Sequence, residues 1–232
     1  MNVTMTDIKK LREMTGAGLS DCKKALAESD DMDGAVAYLR KKGQAVAAKR
    51  SDREAAEGCV LVKVADGFGA IIALKCETDF VANNADFVAL TQQILDAAVA
   101  NKCKSLEEVN ALPMGDGTVA DAVTARSGIT GEKMELDGYS YIEGDNICTY
   151  NHMNRNGLCA MVAFSAPVEA EVGKNVAMQV ASAAPVAIDE TGVPQAVKDN
   201  EIAVAIDKTK AEQIQKAVEA ALKKAGINPA LV

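Results

Sequence analysis

CVLVKVADGFGAIIALKC, residues 59–76, decides the fold class of this chain. Two runs rich in β-forming residues flank Asp66-Gly67-Phe68-Gly69, and an Asp-Gly pair between such runs is a strong signal for a β-hairpin. The next segment predicts an amphipathic helix, whose apolar face carries Phe87, Leu90, Ile94 and Ala98. A hairpin followed by a helix that can cover it predicts an α+β fold.

The remainder of residues 58–145 extends this first core subdomain. Ser105 and Glu108 have the spacing of a capping box and predict a short helix. A second helix is predicted over residues 118–127, and GEKMELDGYSYIEG, residues 131–144, is typical of strand and turn.

A second version of the same arrangement is predicted in residues 146–193. ICTYNHMNRNGLCAMVAFS, residues 147–165, again indicates strand, turn and strand, and a helix over residues 169–184 follows. The two hairpins and their helices align when Gly157 is set over Gly69. We therefore predict two related subdomains, each an antiparallel sheet with a helix.

Residues 1–44 predict a bundle of three short helices. Apolar residues recur at helical spacing around Ile8 and again after Leu19. The third helix is predicted over residues 32–42, with Gly43 as the C′ glycine that ends it. Such a bundle is too small to hold much core, which favours a docking role.

Two further segments differ in composition from the core subdomains. Residues 45–57 are basic and rich in alanine, which predicts a linker with some helical character. Residues 194–232 predict one long helix, over 194–225, that stops at Gly226. Its apolar stripe carries Val204, Ile214, Val218 and Leu222. Because an exposed stripe of this kind needs a partner helix, we expect one half of a truncated coiled-coil hairpin.

The charge balance disfavours nucleic acid as the main partner. The chain has 25 Lys and Arg against 33 Asp and Glu, a net charge of −8. Residues 1–53 differ, with 11 basic and 8 acidic side chains. No run approaches the roughly 18 apolar residues of a membrane span, and residues 1–10 contain no apolar export region. We expect a cytoplasmic protein with no membrane partner, and the sequence does not indicate an oligomeric state.

The sequence offers little for an enzyme active site. It has a single histidine, His152, around which no catalytic triad can be assigned, and it has no phosphate-loop or dinucleotide-binding motif. The six cysteines are irregularly spaced, which predicts reduced and mostly buried thiols. We therefore expect no catalytic residue, cofactor or metal. The enzymatic alternative is a thiol enzyme that uses Cys76 or Cys148.

The most specific local signal is ETDFVANNADF, residues 77–87. Phe87 lies on the apolar stripe of the following helix and is predicted to be buried. Phe80 lies instead at the exit of a strand, between Asp79 and a polar segment, where a loop would present the ring outward. A rigid aromatic side chain on a loop is a preferred anchor for a protein partner.

Three motifs together resemble the bacterial elongation factor Ts family, the guanine-nucleotide exchange factors of elongation factor Tu. They are LREMTGAGLSDCKKAL at residues 11–26, ETDFVANNADF at 77–87 and YNHMNRNGLCAMVAF at 150–164. The resemblance extends in the correct order from residue 4 to about residue 200.

The resemblance implies the fold and the action of the chain. The N-terminal bundle would be ubiquitin-associated-like, and the core would contain two related subdomains. The chain would not be an enzyme itself, but would bind elongation factor Tu in its GDP-bound and nucleotide-free forms and promote GDP release. Family members usually continue into a C-terminal module that binds the partner. We expect this module to be missing from the 232 residues of this chain.

The resemblance also implies which residues contact the partner. Residues 78–81, the TDFV segment, would lie beside the magnesium site of the GTPase; these are Thr78, Asp79, Phe80 and Val81. Arg12 and Leu19 in the first motif would contact the nucleotide domain, and His152 would be a contact from the second subdomain.

A different class of function is kept as the alternative. The chain could be a non-catalytic adapter, in which the bundle docks on one protein and the α+β core on another. An adapter would bind the GTPase equally well with and without GDP.

Overall fold

In this computed structural model, which describes residues 3–231, the N-terminal helices begin where local signals place them. Helix α1, Met5–Thr15, starts from a capping box made by Thr4 and Asp7. Helices α2, Leu19–Ala27, and α3, Met32–Lys49, complete the predicted three-helix bundle. Its small core consists of Ile8, Leu11, Ala17, Cys22, Ala25, Leu26 and Ala35. The ubiquitin-associated-like character of the bundle stays a prediction.

The predicted hairpin is confirmed. Strands β1, Glu57–Ala65, and β2, Phe68–Cys76, pair in antiparallel fashion from one end to the other. Asp66 and Gly67 form the two-residue turn, with φ of 48° and 72°. Positive φ at both positions is the geometry of the tight hairpin turn that Asp-Gly favours.

A single helical turn and two longer helices follow β2. They are α4, Asp79–Ala82, then α5, Ala85–Ala100, and α6, Leu106–Ala111. Ser105 caps α6 as predicted, but the Glu108 carboxylate accepts a hydrogen bond from the Lys104 N–H instead of closing a capping box.

The third strand of the first sheet comes last in this subdomain. A two-residue ribbon, β3 at Pro113–Met114 and β4 at Gly117–Thr118, leads into helix α7, Val119–Thr130. Strand β5, Glu135–Glu143, then pairs with β2, so the sheet order is β1-β2-β5.

The core of this subdomain lies between the sheet and α5. One face of β2 buries Phe68, Ala70, Ile72, Leu74 and Cys76, as strict alternation along a strand requires. These side chains share one cluster with the buried face of α5, which includes Phe87, Ile94, Leu95 and Ala98. The predicted apolar face of α5 is therefore the face that covers the hairpin.

The second hairpin and its helix are also present. Strands β6, Asn146–Asn151, and β7, Cys159–Phe164, pair with each other, and helix α8, Ala170–Ala183, packs on both. The β1 strand contacts this hairpin through the Val60 N–H, which donates to the Asn156 carbonyl at 2.6 Å. The arrangement of hairpin and helix recurs, and the relationship between the two subdomains stays a prediction.

Residues from Ala184 onward form a separate unit. It consists mainly of helix α9, Gln195–Lys224, which agrees with the predicted long helix to within one residue at each end. Gly226, with a φ of 76°, follows its end as predicted. The structure describes every residue of α9, and none of them is buried.

The predicted end of the third helix at Gly43 is wrong. Helix α3 continues through Gly43 to Lys49, so it includes the first five residues of the predicted linker. Gly43 is buried against α7, where a Cβ built on Gly128 would lie 2.3 Å from the Gly43 Cα. The glycine thus allows two helix backbones to approach closely and does not end a helix.

This helix crossing predicts that Gly128→Ala destabilises the chain. The new Cβ would overlap backbone, so α3 and α7 must move apart, at a cost of about 1 to 3 kcal/mol, most of which range exceeds the roughly 1 kcal/mol gained in helix propensity. Thermal and urea unfolding would measure the change. Gly157→Ala is the matched control, because a Cβ there meets no atom within 4 Å. Equal stability of the two variants would contradict the close crossing.

Candidate partner-binding site

Residues 78–81 lie in a short helical turn, made by α4 and its N-cap, and not in the loop expected from the sequence. Thr78 is the N-cap, and its hydroxyl accepts a hydrogen bond from the Val81 N–H at 3.4 Å. The Asn83 side chain donates to the Asp79 carbonyl at 2.8 Å. Asn84 then caps α5 by accepting from the N–H groups of Asp86 and Phe87. Side-chain caps therefore hold both ends of this turn, which we call the TDFV turn.

The TDFV turn divides its side chains between core and surface. The predicted outward placement of Phe80 is confirmed, because the residue is 86% exposed. Asp79 is exposed beside it, whereas Val81 packs against the core cluster and Ala82 is buried. Phe87 is fully buried, as predicted. The turn thus presents one acid and one aromatic ring on an apolar base.

Two carboxylates hold the N-terminal end of the TDFV turn, at Glu77 and Thr78, which we call its root. Glu132, which follows α7, accepts hydrogen bonds from the backbone N–H groups of Glu77 and Thr78 and from the Thr78 hydroxyl. Glu77 accepts one from the Lys133 N–H. Glu77 and Glu132 were not predicted from the sequence, because the backbone amides that bind their carboxylates across the two segments are more than 50 residues away and no local pattern marks either residue.

The environment of the Glu77 carboxylate favours its charged form. Its side chain is 14% exposed and lies 3.3 Å from a guanidinium nitrogen of Arg50 and 3.0 Å from one of Arg53. The hydrogen bond from the Lys133 N–H, helped by Arg53 and Arg50, lowers the pKa of Glu77 although burial opposes the shift. Glu77 is therefore ionised at neutral pH.

Arg12 and Leu19 flank one turn of the N-terminal bundle. Arg12 is exposed near the end of α1, and its carbonyl accepts the Gly16 N–H that closes the helix at 2.7 Å. Leu19 is the first residue of α2 and is 48% exposed. Met14, in the same motif, is 55% exposed and was not singled out from the sequence.

His152 lies apart from these residues in sequence, in the turn between β6 and β7. The ring is exposed, and its Nδ1 is 2.9 Å from the Tyr150 hydroxyl. The neighbouring Met153 is 66% exposed with a φ of 53°, in the left-handed region that a side chain rarely adopts. The hairpin turn therefore displays a polar ring and an apolar side chain together.

A cleft of about 740 Å³ lies between the bundle and the helices of the first subdomain. Its lining includes Leu39 and Arg40 of α3 and Arg126 and Ile129 of α7. Arg40 pairs with Asp116 and Arg126 pairs with Asp86, so these cations are already neutralised. Within residues 3–231, no three His, Cys, Asp or Glu side chains are arranged to hold a metal ion.

The six cysteines are free thiols, as predicted, and four of them are buried. Burial raises the pKa of Cys76 to about 11, with a further contribution from the nearby Glu132 carboxylate. Burial likewise raises the pKa of Cys159 to about 11. The thiolate is the nucleophilic form, so these environments disfavour the thiol-enzyme alternative at Cys76.

Comparison with known proteins identifies the family. A family model described as "Elongation factor TS" matches residues 77–229, a range that starts at the root of the TDFV turn. The chain belongs to the elongation factor Ts family. It is 72% identical over its whole length to the elongation factor Ts of Bacteroides fragilis and 68% identical to that of Bacteroides thetaiotaomicron, and it spans 71% of the length of each.

A more distant relative supports the same family. The elongation factor Ts of Porphyromonas gingivalis is 53% identical over 210 residues, which are 90% of this chain and 76% of that protein. Membership of the family places the chain in translation elongation, as the sequence motifs predicted. None of the described helices has both the length and the apolar content to cross a membrane.

The raised thiol pKa values predict slow alkylation. At pH 8 a thiol with a pKa of about 11 is ionised to only about one part in a thousand. Iodoacetamide should therefore modify Cys76 and Cys159 of the folded chain at least about tenfold more slowly than those of the chain unfolded in guanidinium chloride. Peptide mass mapping would measure both rates. Rapid modification of folded Cys76 would instead support a thiol enzyme.

Proposed function

We propose that this chain binds elongation factor Tu in its GDP-bound form and promotes GDP release, so that GTP can rebind. The TDFV turn would act beside the magnesium and phosphate site of the GTPase. The observation that supports this most directly is the Phe80 ring, 86% exposed on a turn whose neighbours Val81 and Ala82 are packed into the core. The proposed site of action is the cytoplasm, where translation takes place.

The position of Phe80 favours a wedge over a simple surface contact. Full burial of a phenylalanine side chain stabilises a complex by about 1.5 to 3 kcal/mol. Because the turn is capped at both ends in the free chain, little backbone freedom remains to be lost when the ring is buried. The ring could therefore enter a partner with most of this free energy available to displace its helices.

The proposed target is sensitive to small displacements. A GTPase holds GDP through phosphate-loop amides and a magnesium ion that requires nearly octahedral coordination. Movement of the surrounding helices by Phe80 would distort this coordination. The exposed Asp79 carboxylate would act in the same place by repelling or replacing the groups that order the water shell of the ion.

Thermodynamic linkage relates the loss of GDP affinity to the preference of the chain for the nucleotide-free GTPase. If the chain binds the nucleotide-free GTPase 100-fold more tightly than the GDP-bound form, GDP binding must weaken by the same factor, about 2.7 kcal/mol. One buried aromatic ring could supply a large part of this free energy. GTP in excess would then fill the site and expel the chain by the same coupling.

The remaining candidate contacts would hold the chain in place. Arg12 and Leu19 are exposed on the bundle, and His152 is exposed on the second hairpin. Contacts from such separate elements would fix the orientation of the chain on the GTPase, and the TDFV turn would supply the displacement. Affinity for the GTPase would then come mainly from Arg12, Leu19 and His152, and nucleotide exchange mainly from Phe80.

Phe80→Ala tests the wedge. We expect the maximal rate of release of a fluorescent GDP from elongation factor Tu to fall by roughly ten- to a hundredfold, because the lost burial is about 1.5 to 3 kcal/mol. The concentration of chain that gives half the maximal rate should change by less than about threefold. Stopped-flow fluorescence at increasing chain concentration separates the two quantities.

Val172→Ala is the matched control for this experiment. Val172 is 51% exposed on α8 and lies outside the proposed contacts, so its loss should leave both quantities unchanged. An unchanged maximal rate for Phe80→Ala would contradict the wedge.

The adapter alternative is tested by binding alone. We expect the chain to bind nucleotide-free elongation factor Tu about 100-fold more tightly than the GDP-bound form, because exchange requires this preference. Titration calorimetry with the two forms of the GTPase would measure the ratio. Equal affinities would exclude exchange by linkage and favour a non-catalytic adapter.

A further inference from the structure

We propose that Glu132 is a positioning residue that fixes the direction in which the TDFV turn presents Phe80, with Glu77 as its reciprocal partner. This inference rests on the proposed exchange function for its consequence and on the contacts of the free chain for its mechanism. Glu132 is not one of the proposed partner contacts.

The Glu132 side chain holds the turn at its first residues. Its Oε2 accepts from the Glu77 N–H at 3.1 Å and the Thr78 N–H at 3.2 Å, and its Oε1 accepts from the Thr78 hydroxyl at 2.7 Å. Hydrogen bonds to a carboxylate are roughly twice as strong as those between neutral groups. One side chain therefore fixes two successive peptide units and the capping side chain of α4.

The turn needs such a support from outside. Helix α4 has only four residues, which is too short to be stable through its own hydrogen bonds. The Thr78 hydroxyl that caps α4 is the same group that donates to Glu132, so the cap and the support form one connected network. Loss of Glu132 would remove this support from Thr78, so the orientation of Thr78, and hence that of Phe80 two residues later, would be less restricted.

The Glu77 side chain in turn binds the segment that carries Glu132. Its Oε1 accepts from the Lys133 N–H at 2.6 Å, so Glu77 and the segment of Glu132 and Lys133 hold each other through backbone amides. Arg50 and Arg53, just after α3, contact the same carboxylate. Three segments distant in sequence thus meet at the root of the turn, and each restricts its movement.

The Glu132 segment is itself fixed. Gly131 ends α7 with a φ of 74°, and the Ser127 hydroxyl donates to the Glu132 carbonyl. The Glu132 N–H donates to the Thr130 hydroxyl at 3.2 Å. Because two side-chain hydroxyls of α7 hold the Glu132 backbone, the Glu132 carboxylate offers a fixed point for the turn and does not merely follow its motion.

Glu132→Ala is the main variant for the test. We expect the maximal rate of GDP release from elongation factor Tu to fall about tenfold, while the half-saturating concentration changes by less than about threefold, since the other contacts remain. Glu132→Gln should recover most of the rate, because the amide oxygen can accept both N–H groups and the NH₂ group can donate to the Thr78 hydroxyl.

Glu135→Ala is the matched control. Glu135 lies three residues further along the chain, is exposed, and pairs with the half-buried Lys133 through its Nζ at 3.2 Å, without contact to the turn. Its removal should leave the release rate unchanged. A Glu132→Ala rate equal to that of Glu135→Ala would overturn the positioning role.

A measurement without the GTPase separates this inference from the proposed function. In the free chain, hydrogen exchange at the Glu77 and Thr78 amides should become at least about tenfold faster in Glu132→Ala, with the amides of the β1-β2 hairpin unchanged. Unchanged protection of both amides would overturn the inference whatever the exchange activity. If Phe80→Ala fails to slow GDP release, the wedge fails, and amide protection still decides the role of Glu132.

A folding defect in Glu132→Ala would be recognised by faster exchange throughout the hairpin. Thr78→Val then provides the test, because it keeps the Glu132 carboxylate and removes the hydroxyl that both caps α4 and links this cap to Glu132 Oε1. It should reduce the maximal release rate by about threefold or more without changing the hairpin amides. A wild-type rate in Thr78→Val would overturn the role of this network.

Discussion

The packing of α5 on the β1-β2 hairpin is the interaction on which the candidate site depends. Phe68, Ile72 and Leu74 on the sheet share one buried cluster with Phe87 and Ile94 on the helix. The chain must pass from β2 to α5 within the eight residues between Cys76 and Ala85, because both elements are fixed by this core. The TDFV turn is that passage. A short connection between two rigid elements leaves few conformations, which is how a core without catalytic groups can direct a surface ring.

Charged side chains fix the part of the TDFV turn that apolar packing does not reach. Apolar packing holds Val81 and Ala82, but it does not fix the strand exit, where the peptide groups of Glu77 and Thr78 leave the sheet. The carboxylate of Glu132, after the end of α7, accepts from these N–H groups, and the carboxylate of Glu77, at the exit itself, accepts from the Lys133 N–H. The N-terminal bundle is connected to the same place through Arg50 and Arg53. The N-terminal bundle and the first subdomain, which carry Arg12, Leu19 and the TDFV turn, are therefore joined at one polar root, although each has its own core.

Local sequence patterns predicted the helices and strands. They did not predict the roles of residues whose contacts are distant in sequence. Asp66-Gly67 determined the hairpin, and the helical spacing that includes Phe87 but leaves out Phe80 separated the buried ring from the exposed one. The helix end predicted at Gly43 was wrong, because a glycine before a basic segment is typical of a helix end. Its packing partner Gly128 lies far along the chain, so no local pattern revealed the contact. The same distance concealed Glu132. No single-sequence pattern distinguishes a carboxylate that accepts two backbone amides from one in solvent.

Helix α9 has a consequence for how the chain responds to heat. No residue in its 30 is buried, so intrahelical hydrogen bonds and neighbouring side chains carry its stability. Such a helix melts by fraying and gradual loss of turns, governed by nucleation and elongation, and not as one cooperative domain. The far-ultraviolet ellipticity of the chain should accordingly decline in a broad slope well before the sheet-containing unit unfolds. A single midpoint temperature would describe only that unit.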